Sequence, residues 1–252
     1  MKNKKKDNLK DFLQIKNQTD TSADLHFYGD IVSSWWGAWD DADQYPEKVK
    51  DFLDEAKGKD LNIYINSGGG SVFAGMAIYN MIKRHQGHKT VYVDGLAGSI
   101  ASVIALAGDK VIIPSNAYMM IHKPWTYTYG NSNELREQAD VLDTIEEGIM
   151  NVYKDNLKDG IDIELVREMV NNETWLTGEE ALNYFNVEVS QGIDAVACVS
   201  DYYDRYSKVP KTILNDLKME NKMSKKSEEI ENKSNLEKEK LLLELELVEA
   251  LF

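Results

Sequence analysis

Between Leu61 and Gly108 the chain passes twice through the same order of elements. "LNIYI" leads through "NSGGG" into "SVFAGMAIYNMIKRHQG", a helix closing at Gly87. "KTVYVDG" then leads through "LAGS" into "IASVIALAG", a helix closing at Gly108. Strand–turn–helix units in series mean an α/β fold with a largely parallel sheet. Two more short strands follow, "KVIIP" and "AYMMIH". In both units, small residues sit where a strand gives way to a helix N-terminus. Backbone N–H groups point outward there and can hold an anion.

The flanks are of different character. To about Ser22 the chain is polar and charged, as expected of a mobile arm or a segment that orders on assembly. "LHFYGDIV" reads as a strand, and the three tryptophans of "SSWWGAWDD" are expected to pack in a core or an interface. "PEKVKDFLDEAKG" is a short amphipathic helix with Pro46 at its start and Val49, Phe52, Leu53 and Ala56 on one stripe. A long helix is expected over 132–157, opened by an Asn131/Glu134 capping box and striped by Leu135, Leu142, Ile145, Ile149 and Val152. "DIELVREMVN" and "TGEEALNYF" are further helices, the second capped by Thr177, and "DAVACV" reads as a last strand. From Met219 to Lys240 the chain is a charged linker or loose helix. Its end, "LEKEKLLLELELVEALF", is leucine-rich enough for a helix that wants a partner. It stops on Phe252 within that pattern, which leaves open a longer natural product. The expected organisation is an arm (1–22), a folded domain (23–207) and an extension (208–252).

A net charge of −14 argues against a nucleic-acid binder, which would carry a basic face. Cys198 is the single cysteine, so no intramolecular disulfide is possible. With only four histidines besides, no finger-like metal cluster can be spelled out. The basic start "MKNKKKDNLK" is followed by no apolar run, and the longest apolar stretch, Ile100 to Leu106, is too short to span a bilayer. The expectation is an intracellular protein that uses no metal or cofactor and binds neither membrane nor nucleic acid.

Serine hydrolysis needs a nucleophile, a base, a group that orients the base, and N–H donors for the oxyanion. Ser99 begins a helix after Ala97 and Gly98; it is either a helix N-cap or a nucleophile. Ser102, about one turn on, reads as packing. His122 ends an apolar strand before Pro124, a place suited to face a cleft, although local pattern alone favours a partly buried, hydrogen-bonded structural histidine. His85 and His88 read as solvated, and His26 alternates within the first strand. Gly69 and Gly70 can supply oxyanion donors or form a tight turn. The loop lacks the Gly-Lys-Ser/Thr of a P-loop and the spacing of a dinucleotide fingerprint. For the acid, "VNNETWLTGEEA" offers Glu173; Glu179 and Glu180 read as first-turn residues of their helix, and Asp94 and Asp109 as strand-end residues.

Four blocks, "INSGGGSVFAGMAIYNMI", "GLAGSIASVIALAG", "MMIHKPW" and "ETWLTGEEALNYF", in this order and spacing, resemble the ClpP family of serine peptidases. They look most like its bacteriophage branch, the ClpP-type prohead proteases. The resemblance covers about Leu25 to Val199. It implies Ser99 as nucleophile, His122 as general base, Gly69 and Ile100 as oxyanion-hole amides, and Glu173 where the family has an aspartate. Further departures are Gly68, where the family commonly has proline, Gly98, where it has alanine, and Ile100, where it has methionine. The implied fold is the ClpP/crotonase type of repeated ββα units, with the helix over 132–157 as a handle joining rings face to face.

The function implied is an ATP-independent serine endopeptidase in a homo-oligomeric ring. It would trim scaffold and capsid precursors inside assembling phage heads in the host cytoplasm. Three other readings stand beside it: a housekeeping ClpP-like protease fed by an ATPase ring, a catalytically idle structural ring kept open by Glu173, and crotonase-like acyl-CoA chemistry, which gives the Ser99/His122 pair no use.

Overall fold

The computed structural model describes residues 19–38, 43–192 and 206–211. The chain divides into two compact units, 1–208 and 209–252, and every element named here belongs to the first. The "DAVACV" stretch, Trp39 and the leucine-rich end lie outside the described residues.

The strands are β1 (Ser22–Phe27), β2 (Asp60–Ser67), β3 (Lys89–Gly98), β4 (Lys110–Pro114), β5 (Tyr118–Ile121), β6 (Thr174–Thr177) and β7 (Glu188–Ser190). The helices are α1 (Pro46–Glu55), α2 (Val72–Arg84), α3 (Ile100–Ala105), α4 (Ser132–Asp155), α5 (Ile163–Asn171) and α6 (Gly178–Ala181). Strands β1-β2-β3-β4-β7 run in that order across the sheet, every pair parallel. This is the mixed α/β architecture that the strand–helix rhythm predicts. Alternate residues of β1 and β2, such as Leu25, Phe27, Leu61, Ile63 and Ile65, are buried against the helices.

One strand does two jobs. The first half of β3 pairs with β4, Thr90 to Tyr92 against Lys110 to Ile112. Its second half pairs with β5, Leu96 to Gly98 against Tyr118 to Met120. "LAG", expected as turn, is therefore the end of β3; its small residues admit β5 alongside. β5 then pairs antiparallel with β6, Ile121 opposite Thr174. β6 and β7 are too short to stand out from the flanking helices in sequence.

Several boundaries differ from expectation. α2 ends at Arg84, not Gly87, because His85 turns extended and its Nε2 lies 2.7 Å from the Lys59 carbonyl oxygen. α3 stops at Ala105, before Gly108, and all six of its residues are buried. The Asn131/Glu134 capping box forms, with Asn131 Oδ1 accepting from the N–H of Glu134 at 3.2 Å and Glu134 Oε2 accepting from the N–H of Asn131 at 2.7 Å. Only the C-terminal part of α4 is buried, through Glu146, Ile149, Met150, Val152 and Tyr153, while Leu135 and Val141 face solvent. Trp35 and Trp36 are 58% and 76% exposed and stack on each other at 3.9 Å, so they are not core residues of this chain.

Candidate active site

The sheet register brings the site together. Gly98 pairs with Met120, so Ser99, one residue further along β3, and His122, two residues further along β5, emerge together at the strand ends. The Ser99 N–H donates to the Met120 carbonyl at 2.8 Å, which pins the turn to β5. Ser99 Oγ lies 2.8 Å from His122 Nε2. Ser99 has φ 53° and ψ −127°, a left-handed conformation that a non-glycine residue holds at a cost of about 1–3 kcal/mol. The Ser99 side chain makes no N-cap bond to α3, so it is free to turn to the histidine.

Gly69 sits against this turn. The register of β2 on β3 shifts between Ile65 and Ser67, so that Ser67 pairs with Ala97 and the loop draws alongside Ser99. A Cβ on Gly69 would lie 2.7 Å from Ser99 Cβ and 3.3 Å from the Ile100 nitrogen, and its φ is 105°. Only glycine fits that approach and that conformation. The Ile100 N–H is the first of α3 and by position has no intrahelical partner. Gly69 and Ile100 thus flank the serine, close to where an oxyanion would form. The Gly69 N–H is held by Ser67 Oγ at 3.2 Å, and Ser67 Oγ donates in turn to the Gly29 carbonyl at 2.6 Å.

Comparison with known proteins gives the same picture. Residues 45–187 match the family Clp protease. The chain belongs to the Clp protease family. It is 35% identical over 137 residues to an ATP-dependent Clp protease proteolytic subunit of Ligilactobacillus salivarius, 53% of this chain and 68% of that one. It is 31% identical over 130 residues to the subunit of the same name from Bacteroides fragilis, 50% of this chain and 61% of that one. Among solved structures it resembles a ClpP1 mutant from Listeria monocytogenes, with a TM-score of 0.55 and 25% identity over 68% of this chain and 93% of the other. Members of the Clp protease family are serine peptidases that assemble into rings and cleave proteins.

Within this Clp protease chain His122 is half-buried. Burial pushes the His122 imidazole below its ordinary value, and the nearby Glu173 carboxylate opposes that only in part. The 2.8 Å contact works with Nε2 as acceptor, which puts the imidazole proton on Nδ1. Among the described residues, Nδ1 has no hydrogen-bond partner.

Glu173 is placed opposite His122 by the β5–β6 register, with φ 47°. Its carboxylate is not bonded to the histidine. Oε2 accepts from the Ser207 N–H at 2.9 Å and Ser207 Oγ at 2.8 Å; Oε1 accepts from the Lys208 N–H at 2.7 Å and Trp175 Nε1 at 3.4 Å. Burial pushes this carboxyl up, but the four donors outweigh it and hold it below the ordinary carboxylate range.

The other titratable residues considered in the sequence stand apart. Asp94 accepts from the Tyr28 hydroxyl, within β3 rather than at its end. Asp109 pairs with Lys89 at 2.9 Å, and Glu180 caps α6 together with Thr177. His26 stacks on Tyr64 at 4.8 Å, His85 is half-buried on the Lys59 carbonyl, and His88 is exposed. Sequence reasoning passed over five residues that touch the site: Ser67, Trp175, Tyr206, Ser207 and Lys208. Ser67 stands inside the glycine loop and was open to suspicion; Tyr206 and Ser207 carry no local signal at all.

Proposed function

We propose that this chain is an active serine endopeptidase with Ser99 as nucleophile and His122 as general base. The observation that carries this reading is the 2.8 Å contact between Ser99 Oγ and His122 Nε2 on a strained turn beside Gly69 and Ile100. His122 Nε2 takes the Ser99 proton as Oγ bonds to a peptide carbonyl carbon. The amides of Gly69 and Ile100 receive the tetrahedral oxyanion. His122 returns the proton to the leaving amine, and a water deprotonated by the same base releases the acyl group. Glu173 is the candidate to orient His122. The test is labelling with a fluorophosphonate, read by intact mass: one adduct on the wild type and none on Ser99→Ala. A Ser99→Ala variant that takes the label as the wild type does sinks the reading.

For the substrate we infer scaffold and capsid precursors, cut without ATP by a ring in assembling phage heads in a host cytoplasm. Two sequence features support this: the tryptophan-rich block at 33–41 and the charged, leucine-ended extension. A second reading is favoured by the relatives, whose names describe ATP-dependent proteolytic subunits. Co-purification of an ATPase, with peptide cleavage but no protein cleavage in its absence, would decide for the second. Cleavage of a scaffold protein by the chain alone would decide for the first.

A further inference from the structure

The tripeptide Tyr206–Lys208 touches His122, Glu173 and the glycine loop. Tyr206 is buried, and its ring stands edge-on to the His122 ring at 5.2 Å and to Trp175 at 6.0 Å. Its hydroxyl donates to the Gly68 carbonyl. That carbonyl and the Gly69 N–H belong to one peptide group and point in opposite directions. The bond from Tyr206 therefore fixes which way the Gly69 N–H points, and it points to Ser67 Oγ. Ser207 and Lys208 deliver three of the four donors on the Glu173 carboxylate, and Lys208 Nζ donates to the carbonyl of Asn172 beside it. An ionised carboxylate has about four lone-pair sites, so Glu173 has none left for His122 Nδ1.

We propose that Tyr206–Lys208 is an autoinhibitory clasp, which holds Glu173 off His122 and the Gly68–Gly69 peptide turned away from the oxyanion position. Release of the clasp frees the carboxylate to reach Nδ1. It also lets the peptide between Gly68 and Gly69 rotate, a motion that glycine on both sides permits. The proposal rests on Ser99 being the nucleophile.

The test uses the full-length chain. Ser207→Pro removes the N–H and Oγ donors to Glu173. Tyr206→Phe keeps the ring and removes the hydroxyl that bonds Gly68, which keeps the test valid if the proline variant fails to fold. The rate of fluorophosphonate labelling at Ser99 is compared with that of the wild type, with Ser99→Ala as the blank. We expect each variant to label about tenfold faster, because each loses at least one hydrogen bond that favours the clasped state. An unchanged or slower rate on a wild type that does label overturns the clasp and leaves the serine peptidase intact. Absence of label on wild type and both variants overturns the two together.

Discussion

Ser102 Oγ donates to the carbonyl oxygen of Ser99 at 2.6 Å, and the hydroxyl of Tyr153 completes the pair from α4 at 2.8 Å from the same Oγ. With its proton committed to Ser99, Ser102 accepts from Tyr153. Ser102 is fully buried and Tyr153 nearly so, and burial pushes the Tyr153 phenol far up, out of reach of titration. Ser102, which reads from the sequence as packing, in fact braces the strained turn. Ser102→Ala should cost about 1–3 kcal/mol by leaving the Tyr153 hydroxyl without its partner. Tyr153→Phe, which leaves Ser102 bonded to Ser99, should cost about 1 kcal/mol. Urea melts of the two variants measure this; equal costs would contradict the order of donors.

Gly75 in α2 lies against Ile100. A Cβ added there would meet Ile100 Cγ1 at 2.2 Å, inside the buried packing of α2 on α3. Gly75→Ala must move Ile100, whose N–H is the second oxyanion donor proposed. Overpacking of this kind typically costs about 1–3 kcal/mol. We expect a folded protein with peptide cleavage reduced about 100-fold in kcat and little change in KM, because the loss falls on the transition state. Steady-state kinetics beside a thermal melt separates the two effects; a change in KM alone would speak against an oxyanion role for Ile100.

How much of this was legible in the sequence follows from how local each feature is. The α/β rhythm, the capping boxes at Asn131 and Thr177 and the stripe of α1 are short-range patterns, and they appear where the spacing puts them. The split of β3 between β4 and β5 is a long-range pairing that no local pattern encodes, so "LAG" read as turn. Proximity of Ser99 to His122 came only from the family resemblance. Ser207 and Lys208, which supply three of the four donors to Glu173, lie more than 30 residues away along the chain, so neither periodicity nor spacing could name them. The exposed Trp35 and Trp36 show the limit of composition: aromatic content signals burial, but not within which molecule.

The pH dependence has one sign throughout. Burial holds His122 below its ordinary value of 6.5, so the base stays neutral into mildly acidic solution. Cleavage should therefore rise with pH along a limb whose midpoint lies below 6.5, read from kcat/KM against pH. Stability follows the same direction. The folded state binds fewer protons at His122 than the unfolded chain does, so the contribution is complete above 6.5 and lost as pH falls toward the lower folded value. Glu173, also lowered, adds stability that is complete above its ordinary 4.5 and lost as pH falls through its folded value. Denaturant midpoints should thus fall monotonically from neutral pH into acid. His122→Gln should remove the part of that slope nearest 6.5; an unaltered slope there would mean that His122 is not the group responsible.

The strand end that carries the base is anchored to the handle by charge. Lys123, the residue after His122, places Nζ 3.0 Å from Glu146 Oε2, and Arg167 reaches Glu146 Oε1 at 3.5 Å from α5. Glu146 is buried, 5% exposed, whereas both cations keep access to water. Removing the acid leaves Lys123 beside Asp143 at 3.9 Å and Arg167 on Glu147 at 2.8 Å, both with access to water; removing Lys123 leaves the acid still facing Arg167. Glu146→Ala should therefore cost about 1–3 kcal/mol, below the range for a fully buried pair. Its second effect is on geometry, because the residue after His122 loses the shorter of its two ties to α4 and keeps only Asp143 at 3.9 Å. A kcat reduced about tenfold, with KM unchanged, is expected from a displaced base. Lys123→Met, which keeps the aliphatic stem and drops the charge, should reproduce the loss in kcat with a smaller loss of stability. If kcat stays at the wild-type level in both variants, the ion pair holds the fold together without positioning His122.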